Sequence, residues 1–333
     1  MAKINKTVAD AVQPRKPAAE TESPWVEPTP EPTPEPAAEE KPKNKPATAT
    51  TKKPKPAAGL SLVGLGDLTE RVNILLYGKE GSGKTTAAAQ AANRGRTLVI
   101  NAEGGLKASA LRKQGVNIDN IVVWPQHGAH EITQQGLNEI YNTVREDLEQ
   151  DPDSWYAVVV DSVTEVVSAL TDNVSTHRVK KTRQRGVNID EMEEWNTDRN
   201  DYGVVTKQVR DFIRKMRDLP CHLLLTSLER RDVDEDTGVT TYGPALTPAI
   251  QKDILGYVDL VFYLREADEE KPYRAATRQA GKYRAKDRFG VFPRVLENPA
   301  FGTIVDIVNG DLVIQDPQPE EVPKAKTTKK PKH

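Results

Sequence analysis

Residues 72–86 read Val72-Asn73-Ile74-Leu75-Leu76-Tyr77-Gly78-Lys79-Glu80-Gly81-Ser82-Gly83-Lys84-Thr85-Thr86. The first six residues form a short, nearly unbroken apolar run, the pattern of a parallel strand buried on both faces. Gly78 to Thr85 completes G-x-x-x-x-G-K-[ST]. The glycines of such a loop let backbone N–H groups curl around a phosphate with no Cβ in the way. Lys84 is placed to reach the β- and γ-phosphates, and the Thr85 hydroxyl to ligate Mg²⁺. From Thr85 to Ala92 the sequence opens a helix, whose N-terminus favours anions. Strand, loop and helix in this order predict a site for ATP and Mg²⁺, with Gly78, Lys79, Glu80, Gly81, Ser82, Gly83, Lys84, Thr85 and Thr86 around the phosphates.

Working outward, short apolar runs alternate with helical patterns. Thr97–Ile100, Ile121–Val123, Ala157–Val160, His222–Thr226 and Val258–Leu264 read as strands. Residues 106–113, 130–150, 162 to about 170 and 204–217 have helical spacing. This alternation predicts an α/β fold, a mostly parallel sheet with helices on both faces. Beyond Leu264 short strands and turns predict a C-terminal antiparallel extension. Residues 230–242 read as a hairpin or mobile loop with a turn at Gly238.

The two ends have a different character. Half of the 24 prolines lie before residue 57, and Glu27 to Pro36 is EPTPEPTPEP. Such a segment buries too little apolar surface to offset its chain entropy. Residues 1–58 are therefore expected to be a disordered tail, 59–312 one ATPase domain, and 313–333 a disordered basic tail that, with the first, offers a place for a single-strand-binding or replication partner. The formal net charge of −2 gives no global attraction to nucleic acid, so any such affinity must be local. A single cysteine, Cys221, excludes an intramolecular disulfide framework and fits a reducing compartment. No apolar run approaches the ~18 residues that span a bilayer, and the N-terminal stretch lacks an apolar signal core. A soluble, cytoplasmic protein with no membrane partner is expected.

Hydrolysis needs a carboxylate for Mg²⁺ at the end of a neighbouring strand, and Val158-Val159-Val160-Asp161 supplies Asp161. It also needs a group that orients or deprotonates water. Glu103, just past the strand Thr97–Ile100, stands at the carboxyl end of a strand, where α/β ligand crevices lie.

The stretch Thr97 to Pro125, TLVINAEGGLKASALRKQGVNIDNIVVWP, resembles the core of the RecA family, which carries Asp-Ala-Glu where this chain has Asn101-Ala102-Glu103. Arg112-Lys113-Gln114-Gly115-Val116-Asn117-Ile118-Asp119-Asn120 and Val159-Val160-Asp161-Ser162-Val163 extend the likeness, which covers about residues 70–265. It is nearest the short RecA-like ATPases of bacteriophages, some of which act in recombination or single-strand annealing. The resemblance implies a RecA-like P-loop NTPase core, DNA-stimulated ATP hydrolysis with Glu103 activating water, and a homo-oligomer, ring or filament. It implies that basic residues of a neighbouring subunit complete the site, and Lys286 and Arg288 match that element. The family's Asn-Gln, whose Gln senses the γ-phosphate, is here Thr226-Ser227; Glu229 or Arg230 is left as a substitute.

In that family a DNA-binding loop lies between the helix after Asp161 and the helix starting near Tyr202. Here that interval holds Arg178, Lys180, Lys181, Arg183 and Arg185, which can neutralise phosphates with little sequence preference. Trp195 could stack on a base. Arg230 and Arg231 belong to the second DNA-loop region, whose tip (Asp232, Asp234, Glu235, Asp236) is acidic. The expected function is single-stranded DNA binding in recombination, annealing or replication with Mg²⁺-dependent ATP hydrolysis. A hexameric helicase motor and a nucleotide-switched interaction protein that binds no DNA remain as alternatives.

Overall fold

In the computed structural model, which describes residues 64, 70–126, 128–186, 197–233, 238–268, 272–279 and 281–315, the chain runs strand by strand into one sheet. The strands are β1 (Asn73–Gly78), β2 (Thr97–Asn101), β3 (Ile121–Trp124), β4 (Ala157–Asp161), β5 (His222–Val233), β6 (Thr240–Pro244), β7 (Leu260–Arg265), β8 (Arg274–Ala276), β9 (Lys286–Asp287) and β10 (Val295–Glu297). The helices are α1 (Lys84–Ala89), α2 (Ala108–Lys113), α3 (Gln134–Gln150), α4 (Val163–Gln184), α5 (Arg199–Arg217), α6 (Pro248–Tyr257) and α7 (Phe301–Asn309). The strand order is β10-β8-β7-β1-β5-β4-β2-β3, parallel from β7 to β3. The antiparallel extension is present: β8 and β9 pair antiparallel with β7, and β10 with β8. The expected α/β architecture, a mostly parallel sheet with a C-terminal antiparallel extension, is thus the one observed.

Both faces of the sheet are covered because successive strand side chains point to opposite sides. Leu75, Tyr77, Leu98, Ile100, Val158, Val160, Leu223 and Leu225 join the core under α3 to α6. Ile74, Leu76, Val99, Val159 and Leu224 join the core under α1 and α7. Each buried aliphatic side chain contributes roughly 1.5–3 kcal/mol of transfer free energy, so the central strands are held from both faces.

Two elements depart from the sequence reading. The helix after Asp161 runs to Gln184, not about 170. Its second half is polar but contains no Gly or Pro, and Ser175 and Val179 are buried, as Leu170 is. Arg178 locks it to α5, donating from Nε to Asp201 Oδ2 at 2.9 Å. The basic run to Arg183 is therefore helical surface, not loop. After Leu264 one helix occurs where none is expected. Phe301–Asn309 is short and rich in β-branched residues, which reads as strand, but it buries Phe301, Ile304, Val305 and Ile307 and closes on Gly310 at φ 81°. The expected tails (residue 313 to 315 apart), Trp195 and the acidic tip Asp234 to Asp236 lie outside the described residues.

Candidate active site

β1 delivers the chain to the phosphate loop at the carboxyl end of the sheet. Gly81 (φ 75°) and Gly83 (φ 83°) adopt the left-handed conformation the loop needs. At Gly78 a Cβ would meet the Leu264 carbonyl oxygen at 2.4 Å, so glycine is required there by close approach of β7. Lys84, buried at the start of α1, folds back over the loop and donates from Nζ to the carbonyls of Lys79 at 2.7 Å and Gly78 at 3.1 Å. Burial lowers the Lys84 pKa, and the charges of Glu103 and Asp161 oppose that shift. The ammonium thus sits inside the loop, held by acceptors a phosphate can replace.

β5 lies between β1 and β4, and this order builds the rest of the site. From α1, the Thr85 hydroxyl donates to Asp161 Oδ2 at 2.9 Å. From β5, the Thr226 hydroxyl donates to Asp161 Oδ1. Asp161 is 1% exposed. Burial raises its pKa, and the Thr226 and Thr85 hydrogen bonds followed by the Lys84 charge pull it back. Two hydroxyl donors therefore orient the carboxylate and favour its charged form. Glu103 reaches the same place through its backbone, donating from N–H to the Asp161 carbonyl at 3.1 Å. Its side chain is exposed, and burial of its surroundings followed by the Asp161 charge raises its pKa above the ordinary glutamate value, against the pull of Lys84.

This set fits Mg²⁺. Thr85 and Asp161 present hard oxygen ligands side by side, and Mg²⁺ characteristically takes one or two protein oxygens, phosphate oxygens and several waters. Asn101, in register with Asp161, has a buried Oδ1 with no hydrogen-bond partner. Metal-bound water is the kind of donor that acceptor lacks. Among the described residues no cluster of three His, Cys, Asp or Glu forms an all-protein metal site.

The substituted sensor position is now defined. Ser227 is fully buried and shares a hydrogen bond with Thr164 Oγ1 at 3.0 Å, so it is turned toward the start of α4. Arg230 is also occupied, donating to Asp232 Oδ1 and to the Leu246 carbonyl, both at 2.8 Å. Glu229 remains on the loop side. It lines a cleft with Lys79 and Ser82, its charge acts on Lys84, and its Oε2 is buried without a partner.

A pocket that the sequence reading misses adjoins the loop. Thr86 of α1, Gln90 just beyond its end, Tyr273, Asn298 and Pro299 line a cavity of about 130 Å³ beside Ser82 and Gly83. A Cβ on Gly83 would stand 3.2 Å from the Tyr273 ring. Tyr273 and Asn298 lie far along the chain and are brought in by β8 and β10, where the Asn298 N–H donates to the Tyr273 carbonyl at 2.7 Å.

The remaining expected residues are dispersed. Lys286 pairs with Val261 near the amino-terminal end of β7, away from the phosphate loop. Its Nζ donates to the Leu255 and Val258 carbonyls, at 2.9 and 2.8 Å, where α6 ends. Arg288 donates to Asp259 Oδ1 at 2.6 Å. Within the subunit both cations serve this edge. Lys180, Lys181, Arg183 and Arg185 are exposed at the end of α4, Arg178 is bound to Asp201, and Arg231 is exposed on the β5–β6 hairpin. No described helix is long and apolar enough to cross a membrane.

A model of the AAA domain family matches residues 70–289. Among solved structures, the crystal structure of the RadB recombinase is similar with a TM-score of 0.40 and 16% identity, over 63% of this chain and 84% of that one. No curated protein matches.

Proposed function

The chain belongs to the AAA domain family, and on that premise we propose that it is a RecA-like P-loop ATPase that binds single-stranded DNA in recombination, annealing or replication, as phage proteins of that kind do. The observation that carries the ATPase reading is the convergence of Lys84, Thr85, Asp161 and Glu103 at the carboxyl ends of β1, β2 and β4.

In this reading the loop amides and Lys84 hold the triphosphate, and Thr85 and Asp161 hold Mg²⁺. The ion, when bound, neutralises charge on the phosphate oxygens. Thr226 keeps the Asp161 carboxylate oriented. Glu103, with its raised pKa, accepts the proton of the attacking water, the general-base role that asks for a pKa nearer the working pH. The cavity of Tyr273, Asn298 and Pro299 receives the nucleoside.

Glu229 is the group through which nucleotide state reaches the β5–β6 hairpin. It stands at the root of that hairpin, feels the Lys84 charge and has an unmet acceptor. A bound phosphate that draws Lys84 away changes the field at Glu229, and the hairpin carrying Arg231 follows. Single-strand contact is assigned to Lys180, Lys181, Arg183 and Arg185, with Arg231 from the hairpin. Lys286 and Arg288 are read as supports of α6; completion of a neighbour's site by these residues is the other reading, and stability and turnover separate the two. Assembly into a ring or filament rests on the sequence resemblance. ATP turnover with and without single-stranded DNA tests the proposal.

A further inference from the structure

A second cleft, of about 710 Å³, lies among α3, α4 and α5, away from the phosphate loop. Six of its twelve lining residues are carboxamides, and none is Lys or Arg. With no Lys or Arg in the lining and Glu139 in it, the cleft is not built for phosphate. Several of the carboxamides are tied down. Asn173 donates to the Ile132 and Ala169 carbonyls at 3.0 and 2.8 Å, Gln135 donates to Glu139 at 2.7 Å, and Asn138 accepts from Lys215 at 3.4 Å. Two are not. The Oε1 atoms of Gln134 on α3 and Gln208 on α5 are buried with no hydrogen-bond partner. An unmet buried acceptor costs roughly 1–3 kcal/mol. Both side chains line the cleft and are only half-buried as wholes, so a turn of each carboxamide about its last bond brings its oxygen to a donor in the cleft.

The ligand that answers these features must bring N–H donors and a flat apolar body. Val174 and Val204 give the cleft apolar surface above the buried Leu170, and Val204 is 46% exposed. The stripe of α4 that faces the cleft, Leu170, Val174 and His177, continues at helical spacing to Lys181, which is exposed. A carboxamide-lined cleft thus runs into a cation along one helix face. A nucleobase followed by its backbone phosphate has the same order of chemistry, because carboxamides pair with base edges and lysines with phosphates.

We propose that this cleft is a nucleobase subsite, in which the carboxamide oxygens of Gln134 and Gln208 accept hydrogen bonds from exocyclic amino groups of a single strand whose backbone passes Lys181. The inference rests on the single-strand reading above and deepens it, since it makes binding depend on bases as well as phosphates.

The test uses the full-length protein with Mg²⁺ and a non-hydrolysable ATP analogue, and measures fluorescence anisotropy of labelled 20-residue oligo(dC) and of an abasic oligomer of equal length. The wild type should bind oligo(dC) at least about fivefold more tightly than the abasic strand. Changing Gln134→Met together with Gln208→Met should abolish that preference, leave abasic binding at the wild-type value, and keep or raise the thermal midpoint, because two unmet acceptors are gone. Gln208→Met alone should lose part of the preference. Lys181→Ala should weaken both strands alike. Equal binding of both strands by the wild type would overturn the proposal. So would a folded double variant that keeps the preference, a result that would give the cleft to another donor-bearing ligand such as an extended peptide. If the wild type binds neither strand, the single-strand reading fails first and the subsite falls with it.

Discussion

The Thr85 hydroxyl donates to Asp161 Oδ2 at 2.9 Å, so a residue opening α1 and a residue ending β4 meet across β5. In the proposed function these two residues would hold Mg²⁺, and the ion would neutralise charge on the phosphate oxygens. Asp161→Asn removes the charge that the ion requires. We expect turnover to fall by at least about a hundredfold, since metal charge stabilisation amounts to several kcal/mol. Thr85→Ala should raise the Mg²⁺ concentration needed for half-maximal turnover. Steady-state kinetics with a Mg²⁺ titration checks both.

Glu103→Gln keeps size and polarity but cannot take a proton. Nucleotide affinity should stay near wild type while kcat falls by about 10²–10⁴. In the wild type, kcat/KM should rise with pH through a pKa above the ordinary glutamate value, because burial and then the Asp161 charge raise it. A pH–rate profile together with nucleotide-binding isotherms for both proteins checks the assignment. Turnover retained by the glutamine variant would remove it.

Lys286 offers a separation of stability from chemistry. Its Nζ satisfies two carbonyls where α6 ends, and burial lowers its pKa. Lys286→Met should cost about 1–3 kcal/mol and lower the thermal midpoint by about 2–4 °C per kcal/mol, with kcat per folded subunit unchanged. A residue acting on a neighbour's γ-phosphate would instead lower kcat by about 10³–10⁵ at unchanged stability.

His222 makes the fold acid-sensitive. Buried at 4% exposure, it accepts from the Val72 N–H at 3.0 Å, and burial followed by the Arg71 charge depresses its pKa to about 4. A histidine whose folded pKa lies below its unfolded value contributes full stability above about pH 6.5 and loses it as pH falls toward 4. The loss is about 2–3 kcal/mol. Denaturant midpoints at pH 7 and pH 4.5, compared with His222→Asn, should show a smaller acid loss in the variant.

The phosphate loop was legible because its chemistry is contiguous: strand, turn and helix lie within fifteen neighbouring positions. Asp161 and Glu103 were legible because strand ends in a parallel sheet face one crevice. What escaped was set by tertiary packing. Nothing around Tyr273 or Asn298 signals that β8 and β10 carry them to Gly83. Thr226 stands where the family has Asn and carries no signal of its own in the sequence, yet its hydroxyl orients Asp161. The carboxamides of α3, α4 and α5 are unremarkable polar helix residues until the three helices pack. Arg178 looked like part of a loose basic run, but Asp201, buried at the start of α5, takes it into the α4–α5 contact.

The most direct measurement is ATP turnover by the wild type and by Lys84→Ala, each with and without single-stranded DNA. The expected result is Mg²⁺-dependent hydrolysis by the wild type, stimulated by single strands, and no turnover by Lys84→Ala under either condition. Wild-type turnover indifferent to DNA, with no strand bound in the presence of ATP, would contradict the single-strand function and leave a nucleotide switch; unchanged turnover by Lys84→Ala would contradict the active site itself.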